Sequence, residues 1–123
     1  MLIYSQSTGE MRSSQGVLLG TGYAGRGPGL NNPAMQSVRD TGPLPQGVYK
    51  IQPPVNTTTH GPYVMWLTPD PENEMFGRSG FGIHADEIAN PGKHLASTGC
   101  IVMSNAARLA IWQSGDHQLR VSA

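Results

Sequence analysis

The chain has little of what usually marks a function from composition alone. It holds one cysteine, Cys100, so no internal disulfide can form and stability owes nothing to oxidation. Charged residues are 13% of the sequence; eight basic side chains balance eight acidic ones, and no run of either sign occurs. Nucleic acids and anionic membrane surfaces need clustered Lys and Arg, which excludes both as expected partners. No stretch approaches the ~20 apolar residues of a membrane span. Met1-Leu2-Ile3-Tyr4-Ser5 has neither a positive segment nor a long apolar one, so no signal peptide is read. Action outside the cytosol is then expected to need some other carrier.

Glycine and proline, by contrast, are plentiful: 16 and 10, spread among β-branched and aromatic residues. That punctuation predicts a turn-rich, mainly β domain rather than a disordered linker. With 123 residues and no repeat or linker, one domain over 1–123 is expected. Strands are predicted at Leu2–Gln6, Met11–Ser13, Val17–Leu19, Gly47–Ile51, Tyr63–Leu67, Phe81–His84 and His117–Val121, with Ile101-Val102-Met103 starting another. Ser7-Thr8-Gly9-Glu10 is a hairpin turn. Residues 20–46 read as one long irregular stretch, and such loops in a small domain are usually functional or wrapped on the core. Ser104 or Asn105 can cap a helix over Ala106–Gln113, with Leu109 and Trp112 on one face and Gly115 ending it.

Three patterns carry candidate chemistry. Gly20-Thr21-Gly22-Tyr23-Ala24-Gly25 has dinucleotide-fingerprint spacing, but Arg26-Gly27-Pro28-Gly29 follows and cannot open the required helix. These glycines read as turns, and no cofactor is expected. His84, His94 and Cys100 lie within seventeen residues, yet none forms a compact ligand pair, and Asn90-Pro91-Gly92-Lys93 marks a loop before His94. A zinc-dependent hydrolase is the reading that would use them; no metal is expected.

The third pattern is a thiol with a histidine. Ser97-Thr98-Gly99-Cys100 can turn tightly, and His84 ends a strand that would hold its ring, which suits a nucleophile and its base. His94 is the rival base. A lone cysteine also packs well as a small apolar residue, so residue types alone leave the thiol open between core and catalysis.

The wider context adds a resemblance. Ile83-His84, followed by Ser97-Thr98-Gly99-Cys100-Ile101, resembles the signature of the L,D-transpeptidase catalytic domain. Gly42-Pro43-Leu44-Pro45-Gln46-Gly47-Val48-Tyr49-Lys50-Ile51 is similar to another segment of that superfamily. Tyr4-Ser5-Gln6-Ser7-Thr8-Gly9, Gly22-Tyr23-Ala24-Gly25 and Asn31-Asn32-Pro33 resemble a small branch that includes type VI secretion effectors attacking peptidoglycan. Thr98 stands where the common motif has His, and Val102 where it often has Arg or Asn, which implies loss of a contact usual in cross-linking enzymes.

The resemblance implies an L,D-transpeptidase-like β-sandwich with one short helix after the catalytic cysteine. It implies Cys100 as nucleophile, His84 as base, the Ala85 carbonyl orienting that base, and the Gly99 and Cys100 amides as oxyanion donors. Ser97, Thr98, Tyr23 and Arg26 are the candidate substrate-binding residues, with Ser97 read first as a support of the turn through a side-chain-to-backbone bond, and Tyr63 and His94 are further groove residues. Asp86 and Glu87 are left outside the site as solvated carboxylates. The implied substrate is the peptidoglycan tetrapeptide stem, cut or exchanged after diaminopimelate. A secreted antibacterial effector with an immunity protein and a secretion-apparatus partner is favoured, acting in a target cell's periplasm. A phage-encoded wall enzyme and a catalytically dead peptidoglycan-binding domain are the alternatives.

Overall fold

Leu2–Ser5 (β1), Glu10–Arg12 (β2), Leu18–Thr21 (β3) and Tyr23–Ala24 (β4) open a computed structural model that describes residues 1–87 and 92–123. Gly47–Ile51 (β5), Val55–Thr57 (β6), Gly61–Pro69 (β7), Gly82–His84 (β8) and Ile101–Val102 (β9) follow, then Asn105–Gln113 (α1) and Gln118–Ser122 (β10). The molecule is mainly β, with one α-helix among the described residues. The loop signal at Asn90-Pro91 lies outside them.

The strand order β3-β2-β1-β10-β5-β7-β8-β9-β4, with β6 added to β7, explains how ten short strands enclose one core. Its two ends, β3 and β4, are separated in sequence by Gly22 alone, so the sheet must curl until they meet. Gly22 sits at that seam: its amide donates to the Gly9 carbonyl at 2.8 Å, and a Cβ there would lie 1.9 Å from the Val102 oxygen. Only glycine lets those backbones approach so closely. A small sandwich-like shell results.

Alternation fills the shell. Leu2 and Tyr4 of β1, Tyr49 and Ile51 of β5, and Leu119 and Val121 of β10 all point inward, and all are buried. Met65, Ile83 and Ile101 continue the same core across β7, β8 and β9. Burial of each such side chain contributes roughly 1.5–3 kcal/mol. The parallel pairing of β1 with β10 ties the chain's two ends together.

Three local expectations change. Residues 20–46 are not uniformly irregular: β3 runs to Thr21, β4 follows, and two single 3₁₀ turns lie at Gly27–Gly29 and Pro33–Met35. Val55–Thr57 forms a strand that a Pro-flanked polar run did not announce. In α1 the Ser104 hydroxyl accepts from the Ala107 amide at 3.2 Å, so the cap is there. Its buried face, however, is Ala107, Arg108 and Ile111, while Leu109 and Trp112 are half-buried. An arginine occupies the inner face because four backbone carbonyls are there to receive it.

Candidate active site

β8 delivers His84 into the interior, and β9 follows Cys100 out of its turn. The two strands are parallel neighbours, Ile83 opposite Ile101 and His84 opposite Val102. Residues two apart share a face, so Cys100 lies on the face His84 occupies, two positions back. The neighbouring strand Met65–Trp66 backs β8 on its other side. His84 therefore ends a strand paired on both sides, and Cys100 sits in the turn just before its neighbour.

The imidazole is specified by its surroundings. Its Nδ1 lies 2.8 Å from the Ala85 carbonyl oxygen, which sets Nδ1 as donor and leaves Nε2 to act as a base. Burial pushes the His84 pKa down, and the charges of His60 and Arg108 push the same way against the Ala85 bond and Asp86. A neutral imidazole is the resting form.

Burial raises the Cys100 pKa, opposed by the amides of Gly82 and of Cys100 itself and by the Arg78 charge. The resting form is a thiol, and it donates to the Gly80 carbonyl at 3.8 Å, a long contact. No Cys100–His84 hydrogen bond occurs among the described residues, so proton transfer requires the thiol to rotate from Gly80 towards the ring.

The turn before Cys100 is braced rather than free. Ser97 has no exposed surface; its hydroxyl donates to the Cys100 carbonyl at 2.6 Å and accepts the amides of Gly25 and Gly99 at 2.9 and 3.0 Å. These bonds make Ser97 a support of the turn, with nothing left for a substrate. They also engage the Gly99 amide, which in this structure is not free to meet an oxyanion. Gly99 itself is required: φ is 147°, and a Cβ would fall 2.5 Å from Phe81 and 2.7 Å from Arg78.

Arg78 is the residue the sequence did not announce. It is 6% exposed, its guanidinium lies over the Phe81 ring, and it donates to the carbonyls of Gln36, Gly42, Pro43 and Thr98. Its partners come from three distant segments, so no local motif marks it. Thr98 is exposed, its carbonyl held by Arg78. Arg26 is exposed, and its backbone amide bonds to the Thr41 carbonyl.

Two clefts flank Ala85 and Asp86. One of about 530 Å³ is lined by His84, His60, Glu87, Leu95 and the 58–62 hairpin tip. The other, about 440 Å³, is lined by Tyr23, His94, Ser104, Asn105 and Arg108. In the second cleft Tyr23 donates to Asp86 at 2.8 Å, accepts the Ala96 amide at 3.1 Å, and meets the edge of His94. Asp86 also accepts the amides of Glu87 and Gly92, so it is an anchor of this loop rather than a merely solvated carboxylate. Burial opposes its ionisation, but those hydrogen bonds prevail and hold its pKa below the usual range.

His94 thus packs on Tyr23, and His84, His94 and Cys100 do not converge. Among the described residues, no three His, Cys, Asp or Glu side chains gather as a metal site. Arg108 donates to the carbonyls of Met103, Ser104, Pro62 and Tyr63, joining α1 to the start of β7. Tyr63 itself is half-buried with a positive φ of 57°, its carbonyl held by that arginine.

No curated protein and no solved structure matches the chain. The profile of the Tlde1 domain matches residues 20–123. That span holds β4 to β10, both clefts, His84 and Cys100, and on it the chain belongs to the Tlde1 domain family.

Proposed function

We propose that this Tlde1-domain protein is a type VI secretion effector that attacks peptidoglycan stem peptides through a Cys100 thioester. The bond cut is that between diaminopimelate and the terminal D-alanine of a tetrapeptide. Family membership supports the effector and its peptidoglycan target; the L,D-transpeptidase-like signature supports the bond. The observation that carries the reading is His84, its Nδ1 engaged by Ala85, on the strand paired with the one that follows Cys100.

A neutral thiol beside a neutral imidazole calls for general-base activation rather than a standing ion pair. His84 Nε2 takes the Sγ proton as sulfur attacks the carbonyl carbon of residue three. The oxyanion then needs donors, and the amides of Cys100 and Gly82, which favour the ionised sulfur, are the candidates. The His84 imidazolium returns its proton to the leaving nitrogen, the C–N bond breaks, and D-alanine departs.

Water, deprotonated by His84, hydrolyses the thioester and yields a tripeptide. A D-amino acid in its place yields exchange, and an amine from another stem yields a cross-link. Val102, standing where cross-linking enzymes often carry a polar residue, favours trimming and exchange. The site of action is a competitor's periplasm after delivery, where loss of tetrapeptides removes donors for cross-linking. A cognate immunity protein and a component of the secretion apparatus are the expected partners.

The test is incubation of purified protein with disaccharide tetrapeptides, followed by mass spectrometry. Loss of one D-alanine is expected, with a mass exchange when a second D-amino acid is supplied and an acyl adduct trapped on Cys100. Intact tetrapeptide after incubation with folded protein overturns the reading.

A further inference from the structure

The hairpin tip between β6 and β7 holds a second imidazole beside the first. His60 and His84 lie 5.0 Å apart, centroid to centroid, at 61°. His60 is fixed from three sides: Nδ1 is 2.8 Å from Thr59 Oγ1, its amide donates to Thr57 Oγ1 at 2.8 Å, and its ring meets Trp66 edge-on at 5.3 Å. Its Nε2 has no partner among the described residues. Besides His84, it is the one side chain lining this cleft that can carry positive charge.

Resting on the thioester reading above, we propose that His60 is a specificity residue that receives the free α-carboxylate of the departing amino acid. The leaving nitrogen must take its proton from His84, so the leaving residue lies on His84's side of the sulfur. The cleft of about 530 Å³ is lined by His84 and not by Cys100, and therefore extends to that side. One residue spans about 3.8 Å between Cα atoms, and a hydrogen bond adds about 3 Å. Rings 5.0 Å apart can thus hold the amine and the carboxylate of one amino acid. Asp86 and Glu87, the acidic residues lining the same cleft, disfavour a carboxylate near themselves, which leaves His60 as its receiver.

Two tetrapeptides test this, one with a free C-terminal carboxylate and one with a C-terminal carboxamide. The expected result for His60→Gln is a KM for the free acid raised about tenfold or more, with kcat within about twofold. The carboxamide is a poor substrate of the unmodified protein and is not worsened by the substitution. His60→Lys restores the preference for the acid. Equal losses on both peptides, or no loss on either, overturn the proposal.

A binding arm separates it from the catalytic reading. In Cys100→Ala, NMR titration should show tighter binding of the acid than of the amide, and His60→Gln in that background should abolish the difference. If the unmodified protein cleaves neither peptide, the thioester reading falls while this titration still decides His60; equal binding of acid and amide refutes it.

Discussion

The two clefts either side of Ala85 and Asp86 use the same residue types to different ends. On one side Tyr23 and Asp86 bond each other and backbone amides, and Arg108 bonds four backbone carbonyls. On the other, His84 and His60 each spend one ring nitrogen on the protein and keep the second. A polar side chain whose bonds are all internal holds a shape, while one with a nitrogen to spare can do chemistry. Residue identity does not separate the two cases; the bonds already made do.

The largest expected effect breaks the reactive side. Cys100→Ala and His84→Ala should each lower the rate of D-alanine release by about 10⁴-fold or more. Circular dichroism and the urea midpoint should report a folded protein. A His84→Ala enzyme within about tenfold of the original would remove histidine from the base's role.

Next comes the brace. Arg78→Ala leaves four carbonyls without their donor and should destabilise the fold by about 3 kcal/mol or more, read as a lower urea midpoint. Since Arg78 positions the Thr98 carbonyl at the nucleophile's turn, activity per folded molecule should fall as well.

The pH profile sharpens the comparison without a substitution. Because His84 works in its neutral form and its pKa is lowered by burial, kcat/KM should decline on the acid side with a midpoint below 6.5. The same shift makes stability depend on pH. The folded state binds fewer protons here than the unfolded chain, so this contribution is complete above 6.5 and is lost as pH falls towards the depressed value. Alkylation of Cys100 in the His84→Ala protein should be slow at neutral pH and speed up with alkali, because burial holds the thiol protonated.

The smallest effect is expected on the spent side. Tyr23→Phe removes one hydroxyl that bonds Asp86 and Ala96, at a cost of about 1 kcal/mol. The melting temperature should drop by roughly 2–8 °C, with kcat/KM changed by less than about tenfold. A much larger loss of activity at unchanged stability would make Tyr23 a substrate contact after all.

Much of this was legible beforehand where the signal is local. Alternation marked β5, an apolar run marked β7, and Ser104 marked the start of α1 because a cap needs only its own turn. β4 and β6 were not legible, being short strands whose pairing partners lie 79 and 9 residues away in register, at Val102 and Val64. The inner face of α1 was misplaced because Arg108 is buried by carbonyls from β7, not by any periodicity. At the site, Cys100 and His84 stood out as a thiol after glycine and a histidine at a strand end.

By itself, then, the sequence determined a mainly β domain with one cysteine, one capped helix and a Gly-Cys turn, since propensity, alternation and turn chemistry act over a few residues. Only the tertiary structure decided which polar groups are spent. It tied Ser97 of the turn to the Gly25 amide, brought Arg78 from between β7 and β8 to hold the turn, and set His60 beside His84. Hydrogen bonds between segments tens of residues apart are fixed by the closing of the sheet, and no window along the chain contains both partners.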